Sequence, residues 1–201
     1  FIRFSLEYES ESEQTTFEAI KLNLDGIIKI SKERVLSELF KILNTKNFIK
    51  LNKNKNLKVI FSLIFPELKN LERLNKLETL MDKSDIDKDI LLAVLLVDET
   101  NNHEYFFHKY NVSNELKENL KLIHENYINF QKNKKFFSND LKKNLYFFDK
   151  RHLKILNILN FTNCKKVKLQ DYLNILDNID KLKIPKFTFD GNFLKENGMR
   201  E

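Results

Sequence analysis

Apolar residues recur at every third or fourth position along most of the chain, which is the spacing of one buried face of an α-helix. The pattern is clearest in "KERVLSELFKIL" at 32–43 and in the stretch 114–130. In the second stretch the predicted buried face consists of Leu116, Leu120, Ile123, Tyr127 and Phe130. No stretch alternates apolar and polar residues for long enough to build a substantial sheet, and no internal repeat is present. The sequence therefore predicts an all-α fold of stacked helix pairs.

Side chains that can cap a helix mark where several of these elements begin. Ser31, Ser84, Ser113 and Ser138 each precede a helical stretch and can accept a hydrogen bond from a free N–H of its first turn. "TTFE" at 15–18 has the spacing of a capping box. The predicted helical segments are 2–9, 15–24, 32–43, 46–65, 69–82, 85–98, 114–130, 139–148, 150–160 and 168–180, with a further helix after Asp190.

Composition places the chain among globular proteins and argues against a membrane protein. Hydrophobic residues make up 42% of the sequence and charged residues 32%. The longest apolar run, "DILLAVLLV" at 89–97, is far shorter than the roughly 20 residues of a membrane-spanning helix. A single cysteine, Cys164, excludes an internal disulfide framework and fits a cytoplasmic location. The start at Phe1, without a methionine, suggests a piece of a longer protein.

The residue inventory contains no recognisable active site. Three carboxylates occur at every second position, in Asp85, Asp87 and Asp89. On a strand this spacing would align them on one face, but on a helix they point apart. Helix capping is therefore expected here instead of metal binding. The four histidines lack the spacing of metal ligands, and Cys164 has no histidine neighbour in the sequence. No glycine-rich phosphate-binding loop is present. The sequence predicts no metal site and no cofactor in this chain.

Lysine-rich runs near the predicted helix ends are the strongest indication of a partner. The net charge is +6, and basic residues concentrate at 50–58, 131–137, 141–154 and 164–168. Lysine contacts phosphates as a point charge, which suits binding of nucleic acid without sequence preference. A solvated surface enriched in lysine by AT-rich coding explains the same runs. The candidate RNA-binding residues are Lys50, Lys53, Lys55, Lys132, Lys134, Lys135, Lys142, Lys143, Lys150 and Arg151.

A series of positions in the first 43 residues resembles a known family. The series consists of Arg3-Phe4, then Thr16, Ala19 and Ile20, then Ile30, Ser31, Glu33, Arg34, Val35, Glu38, Leu39, Lys41, Ile42 and Leu43. It resembles the segment downstream of the catalytic head in class II tRNA nucleotidyltransferases, the CCA-adding enzymes, and in their bacterial poly(A) polymerase relatives. Weaker similarity follows in "FPEL" at 65–68 and in the region 184–199, through Pro185, Gly191, Leu194 and Gly198. In that last region Phe193 stands where the family usually has Asp.

The resemblance implies a neck, a body and a tail without the polymerase head. It implies a neck-like helical region at 1–65 and a helical RNA-binding body and tail at 66–201. Within the neck, Ser31 and Glu33 would cap a helix, Arg34 would tie that turn to a neighbouring helix or to the head, and Arg3 belongs to the same supporting motif. The magnesium ions and the CTP or ATP of the full enzyme would bind the head, whose motifs this chain lacks.

The resulting hypothesis is a non-catalytic, RNA-binding part of a CCA-adding enzyme or a poly(A) polymerase. The expected partners are tRNA or another RNA, and a separate polypeptide that carries the catalytic head is a further candidate partner. Two alternatives stay open from the sequence. One is a helical protein-interaction module whose lysines reflect coding bias, and the other is the remnant of a split or decayed gene.

Overall fold

A computed structural model describes residues 1–8 and 14–183, and all regular structure in these two ranges is helical. The prediction of an all-α fold is therefore confirmed. Short 3-10 segments join several of the helices, at Leu24–Lys29, Phe48–Lys53, Leu71–Arg73 and Glu78–Leu80. The α-helices are α1 (Ile2–Tyr8), α2 (Gln14–Leu22), α3 (Lys32–Leu43), α4 (Lys55–Ile64), α5 (Leu74–Leu77), α6 (Lys88–Leu96), α7 (Asn102–Lys109), α8 (Asn114–Lys132), α9 (Leu141–Phe147), α10 (Lys150–Asn163) and α11 (Leu169–Lys181).

Two of the predicted N-caps are confirmed. The Ser31 hydroxyl accepts a hydrogen bond from the backbone N–H of Arg34 at the start of α3, at 3.4 Å. Ser113 makes the equivalent bond to Leu116 at the start of α8, also at 3.4 Å. Both helices follow the predicted bounds closely because each combines a cap with a long amphipathic stripe.

Three other predictions of helix starts are wrong. The N-cap of α6 is Asp87 and not Ser84, whose hydroxyl lies 2.6 Å from the Tyr172 hydroxyl on α11. Helix α2 already begins at Gln14, so the "TTFE" residues lie inside it. The Ser138 hydroxyl donates to the carbonyl of Lys135, and α9 begins after Asp140.

The remaining differences concern helix continuity. The predicted helix at 69–82 is broken into α5 and two flanking 3-10 segments, and α7 was not predicted. The predicted helix after Asp190, and the resemblance at 184–199, lie outside the described residues.

Helices α6 and α10 form the centre of the fold. Every residue from Ile90 to Val97 is at most 5% exposed, so α6 is buried on all sides from Ile90 onward, as the uniformly apolar sequence of this part requires. Helix α10 packs against α6, α8 and α11. Among residues 1–8 and 14–183, no helix is both long enough and apolar enough to cross a membrane.

Polar side chains from outside α6 hold the carbonyl groups at its C-terminal end. The buried Arg73 guanidinium donates to the carbonyls of Val94 and Val97, at 2.9 and 2.6 Å, and the Asn70 amide donates to that of Leu95 at 3.0 Å. The last carbonyls of a helix have no partner within it, so these side chains satisfy groups whose burial would otherwise cost free energy.

Candidate nucleic-acid interface

The predicted neck motif forms a connection between α3 and the segment after α7. Ser31 caps α3, and the Glu33 carboxylate accepts a hydrogen bond from the Asn111 amide. Hydrogen bonds from its own backbone N–H and from Asn111 lower the pKa of Glu33. The partner of Glu33 lies 78 residues further along the chain, so this connection was not visible in the sequence.

The two arginines of the motif lie beside an apolar groove. Arg3 and Arg34 both line it, and the Arg3 Nε is 3.9 Å from an oxygen of Glu38. Within the described ranges, the Arg34 guanidinium has no hydrogen-bond or ion-pair partner, so its expected tie to a neighbouring helix is not present there. Its contact with a catalytic head stays a prediction.

Apolar residues of the same region are unusually exposed. The groove is lined by Ile27, Ile30 and Val35, and the neighbouring groove adds Ile28 and Leu63. Ile28 is 85% exposed and Leu63 50% exposed. Adjacent exposed apolar side chains of this kind mark surfaces that contact another molecule.

The structure divides the candidate RNA-binding cations into a group whose side chains have partners within the described part of the chain and a group whose side chains have none there. Arg151 lies 2.6 Å from Asp87 and 3.6 Å from Asp89, and Lys53 pairs with Glu78. Lys150 donates to the carbonyl of Asp180 at 2.7 Å, and Lys50 is exposed and also interacts. In the part of the chain that the structure describes, the candidates whose side chains are exposed and have no partner are Lys55, Lys132, Lys134, Lys135, Lys142 and Lys143.

Five of these exposed cations belong to one local unit. We call them the α8–α9 lysine cluster, which consists of Lys132, Lys134, Lys135, Lys142 and Lys143. Asn133 closes the turn between the two helices, because its amide donates to Asp140 at 2.9 Å and its oxygen accepts from the backbone N–H of Lys135 at 2.9 Å. The buried Asn144 amide then fixes α9 to the carbonyl of Phe136, at 2.9 Å.

The charge of this unit is almost entirely positive. Asp140 is the only acidic residue in the stretch 126–148, and its carboxylate accepts the hydrogen bond from Asn133 that closes the turn. The five lysines therefore keep their charge available to a partner. Cations without internal partners gain the most from contact with phosphate, because phosphate then replaces only water and counterions.

The described residues do not fit a magnesium site. No group of three or more His, Cys, Asp or Glu side chains within 1–8 and 14–183 is arranged to hold a metal ion. Asp87 accepts from the backbone N–H groups of Asp89 and Ile90, at 3.0 Å each, and also binds Arg151. The prediction that these aspartates cap a helix is confirmed for Asp87, which is itself the N-cap residue of α6.

Two exposed aromatic residues at the α8–α9 unit were not among the predicted site residues. Tyr146 is 47% exposed and Phe147 63% exposed, and the two rings contact each other. The sequence favoured a core position for most of the phenylalanines. A finer use of the helical period over 141–148 would have placed both aromatics on the side opposite to Leu141 and Leu145.

The fold and the surface define an all-α protein with a cluster of free cations, a combination that suits a polyanionic partner. Residues 11–71 match a family model described as the probable RNA and SrmB-binding site of polymerase A. This match supports a relationship to the poly(A) polymerase family and an RNA-binding role of the matched segment. The segment contains α3 and α4, with Ser31, Glu33 and Arg34. Comparison with curated proteins and with solved structures gave no match.

Proposed function

We propose that this chain is the RNA-binding, non-catalytic part of an enzyme that adds nucleotides to RNA 3′ ends. The enzyme is either a CCA-adding tRNA nucleotidyltransferase or a poly(A) polymerase, and it acts in the cytoplasm. The match of residues 11–71 to the RNA-binding site of polymerase A carries this proposal. The resemblance of residues 3–43 to the same group of enzymes supports it independently of the lysines.

In this proposal the chain binds RNA and a head module outside it performs the chemistry. The head, on the same or a separate polypeptide, would bind magnesium and CTP or ATP and transfer CMP or AMP to the RNA. The α8–α9 lysine cluster would contact phosphates of a tRNA arm or of another RNA. Double-stranded RNA is recognised mainly through its shape and its phosphates, which suits exposed lysines at helix ends.

Binding of tRNA by the isolated chain tests the proposal, with salt as the variable. Affinity should fall steeply as salt rises from about 50 to about 200 mM, because each phosphate contact releases counterions. Replacement of Lys134, Lys135, Lys142 and Lys143 by Glu should weaken binding by at least about tenfold and reduce the slope of log affinity against log salt. Absent binding, or binding that does not depend on salt, would contradict the proposal.

A matched control separates local contact from net charge. Lys83→Glu with Lys121→Glu changes the charge as much as Lys134→Glu with Lys135→Glu, and all four lysines are exposed. Lys121 lies on α8, eleven residues before Lys132, a distance of roughly 16 Å along the helix. The control pair should retain nearly all tRNA affinity. Equal losses in the two pairs would mean that total charge, and not the α8–α9 unit, determines binding.

An assay of nucleotide addition tests the non-catalytic part of the proposal. The isolated chain should add no CMP or AMP to tRNA in the presence of magnesium, CTP and ATP. Any addition that survives purification of the chain to homogeneity would contradict this part of the proposal.

A protein-interaction function is the second candidate, and the exposed apolar residues of the neck favour it. Ile28 and Leu63 lie in the segment that matches the polymerase A model, whose description names SrmB as well as RNA. Ile28→Ser with Leu63→Ser should weaken binding to purified SrmB if this function holds, and should leave tRNA affinity unchanged. The lysine variants should show the opposite behaviour.

A further inference from the structure

Helix α9 has two chemically distinct faces. Its inner face carries Leu141, Asn144 and Leu145, which are buried. The positions between them form the opposite face, because side chains of a helix repeat every 3.6 residues. This outer face consists of Lys142, Lys143, Tyr146 and Phe147, and all four residues are exposed.

The two aromatic rings form a corner on this surface. The ring centroids of Tyr146 and Phe147 are 5.2 Å apart and the ring planes meet at 86°. Among the described aromatic residues, neither ring contacts a third ring. Rings at this angle cannot share one flat partner face to face, so each ring offers a separate stacking surface at the corner.

Each lysine of the outer face lies one helical turn before an aromatic residue. Lys142 precedes Tyr146 by four positions, and Lys143 precedes Phe147 by four. Residues at this spacing are neighbours on a helix surface, roughly 5–6 Å apart at Cβ. In the described ranges neither ammonium group has an internal partner. The outer face therefore contains two pairs, each made of an unpaired cation and a neighbouring exposed aromatic ring.

In the described ranges, the acidic residues nearest in sequence form no ion pair with these lysines. The Asp140 carboxylate accepts from the Asn133 amide, and Asp149 caps α10 by accepting from the backbone N–H of His152 at 2.6 Å. A partner of this face must therefore supply negative charge and a flat, polarisable group together. An unpaired nucleotide has both, since its base stacks on aromatic rings and its phosphates attract lysine.

We propose that the outer face of α9 binds an unpaired nucleotide of the RNA. The base stacks on Tyr146 or Phe147, and Lys142 and Lys143 contact the flanking phosphates. An uninterrupted RNA duplex keeps its bases stacked inside, so its phosphates satisfy the lysines but the aromatic rings gain nothing from it. This inference rests on the proposed RNA-binding function and adds a preference for single-stranded nucleotides.

Two hairpin RNAs with the same stem test the inference. One is blunt-ended, and the other carries a single-stranded 3′ extension with 2-aminopurine as one of its bases. The variant is Tyr146→Leu with Phe147→Leu, which keeps apolar, helix-forming side chains at exposed positions and removes the rings. We expect wild-type protein to bind the extended hairpin more tightly and to quench the 2-aminopurine fluorescence on binding.

The leucine variant should lose about tenfold in affinity for the extended hairpin, together with the quenching, and should bind the blunt hairpin like wild type. Its dependence on salt should stay that of wild type, because stacking releases no counterions. Lys142→Glu with Lys143→Glu should instead reduce the salt slope for the extension, by about 0.7 per lost contact. The two variants therefore separate stacking from phosphate contact.

Each remaining outcome overturns the inference or its basis. If the leucine variant binds the extended hairpin as tightly as wild type, the inference is wrong and the proposed function stands. Equal losses for both hairpins would also overturn it, because the rings would then act in the duplex site or in the fold. If wild-type protein binds neither hairpin, the proposed function fails and the inference fails with it.

Discussion

Arg151 and Asp87 form an ion pair, with 2.6 Å between Nη2 and Oδ2, that joins the first turn of α10 to the N-cap of α6. Burial works to raise the pKa of Asp87, but hydrogen bonds from the Ile90 N–H and from Arg151 outweigh it, so the pKa is lowered. The pair connects the two helices at the centre of the fold. It also neutralises a cation that the sequence had assigned to RNA.

Loss of Arg151 should affect stability and not RNA binding. Arg151→Ala should lower the free energy of unfolding by about 0.5 kcal/mol, since both side chains of the pair are partly exposed. Affinity for tRNA should remain within about twofold of wild type, because the guanidinium is already paired. Urea unfolding and a tRNA titration measure the two effects. A loss of affinity as large as that of Lys142→Glu with Lys143→Glu would show that Arg151 contacts RNA.

Replacement of the buried Arg73 should be among the most destabilising changes in the chain. Arg73 is 8% exposed and its guanidinium binds two carbonyls at the end of α6, so Arg73→Met would leave buried acceptors unsatisfied. We expect a loss of about 3 kcal/mol in the free energy of unfolding, measured in urea. The same substitution at the exposed Arg34 is the control and should cost less than about 0.5 kcal/mol. Similar costs at both positions would contradict the role of Arg73.

The connection between Glu33 and Asn111 can be measured by titration. Asn111→Ala removes one of the two main hydrogen bonds that lower the pKa of Glu33, so this pKa should rise toward its ordinary value. NMR observation of the carboxyl carbon during a pH titration gives the shift directly. Glu38 is an internal control, because its pKa is lowered mainly by Lys41 and should not change. An unchanged Glu33 would mean that the two residues do not interact in solution.

Acid should destabilise the fold through His103. Burial lowers the pKa of His103 to about 4, and the charge of His124 contributes to a lesser extent. The ring centroids of the two histidines are 4.1 Å apart. The unfolded chain, with a histidine pKa near 6.5, then binds more protons than the folded one, so stability falls as pH drops through this window. His103 alone should reduce the free energy of unfolding by about 2 kcal/mol between about pH 7.5 and about pH 5.

His103→Phe should remove this part of the pH dependence while keeping an aromatic ring at the site. Urea unfolding at both pH values gives the difference for each protein. His108→Gln is the control, since His108 lies on the surface of the same helix. If His103→Phe loses as much stability in acid as wild type does, another group causes the loss.

Helix class and several helix bounds could be predicted because they depend on nearby residues. The stripe of α8 and its cap at Ser113 lie within one continuous segment, and both were predicted. The start of α6 was predicted less well because two candidate caps compete there. Asp87 caps the helix, while Ser84 hydrogen-bonds to Tyr172, a residue 88 positions away that no local pattern reveals.

The candidate site could be predicted only as a set of charges. Sequence shows that Lys53 and Arg151 are cations, but their neutralisation depends on Glu78 and Asp87, which only the fold brings close. The lysines of the α8–α9 cluster have no such partner among the described residues, and nothing in their local sequence distinguishes them from Lys53. Their binding to RNA, like the division of the chain at residue 65, stays a prediction.

The complete burial of α6 has a consequence for how this chain can evolve. A substitution within its apolar run must preserve volume, since close packing leaves no room for an altered shape. The outward positions of α9 carry no such packing restriction, so their side chains can change without loss of the fold. Related proteins with this fold could therefore acquire new binding preferences through a few substitutions on the outer face of α9, while the buried residues of α6 stay the same.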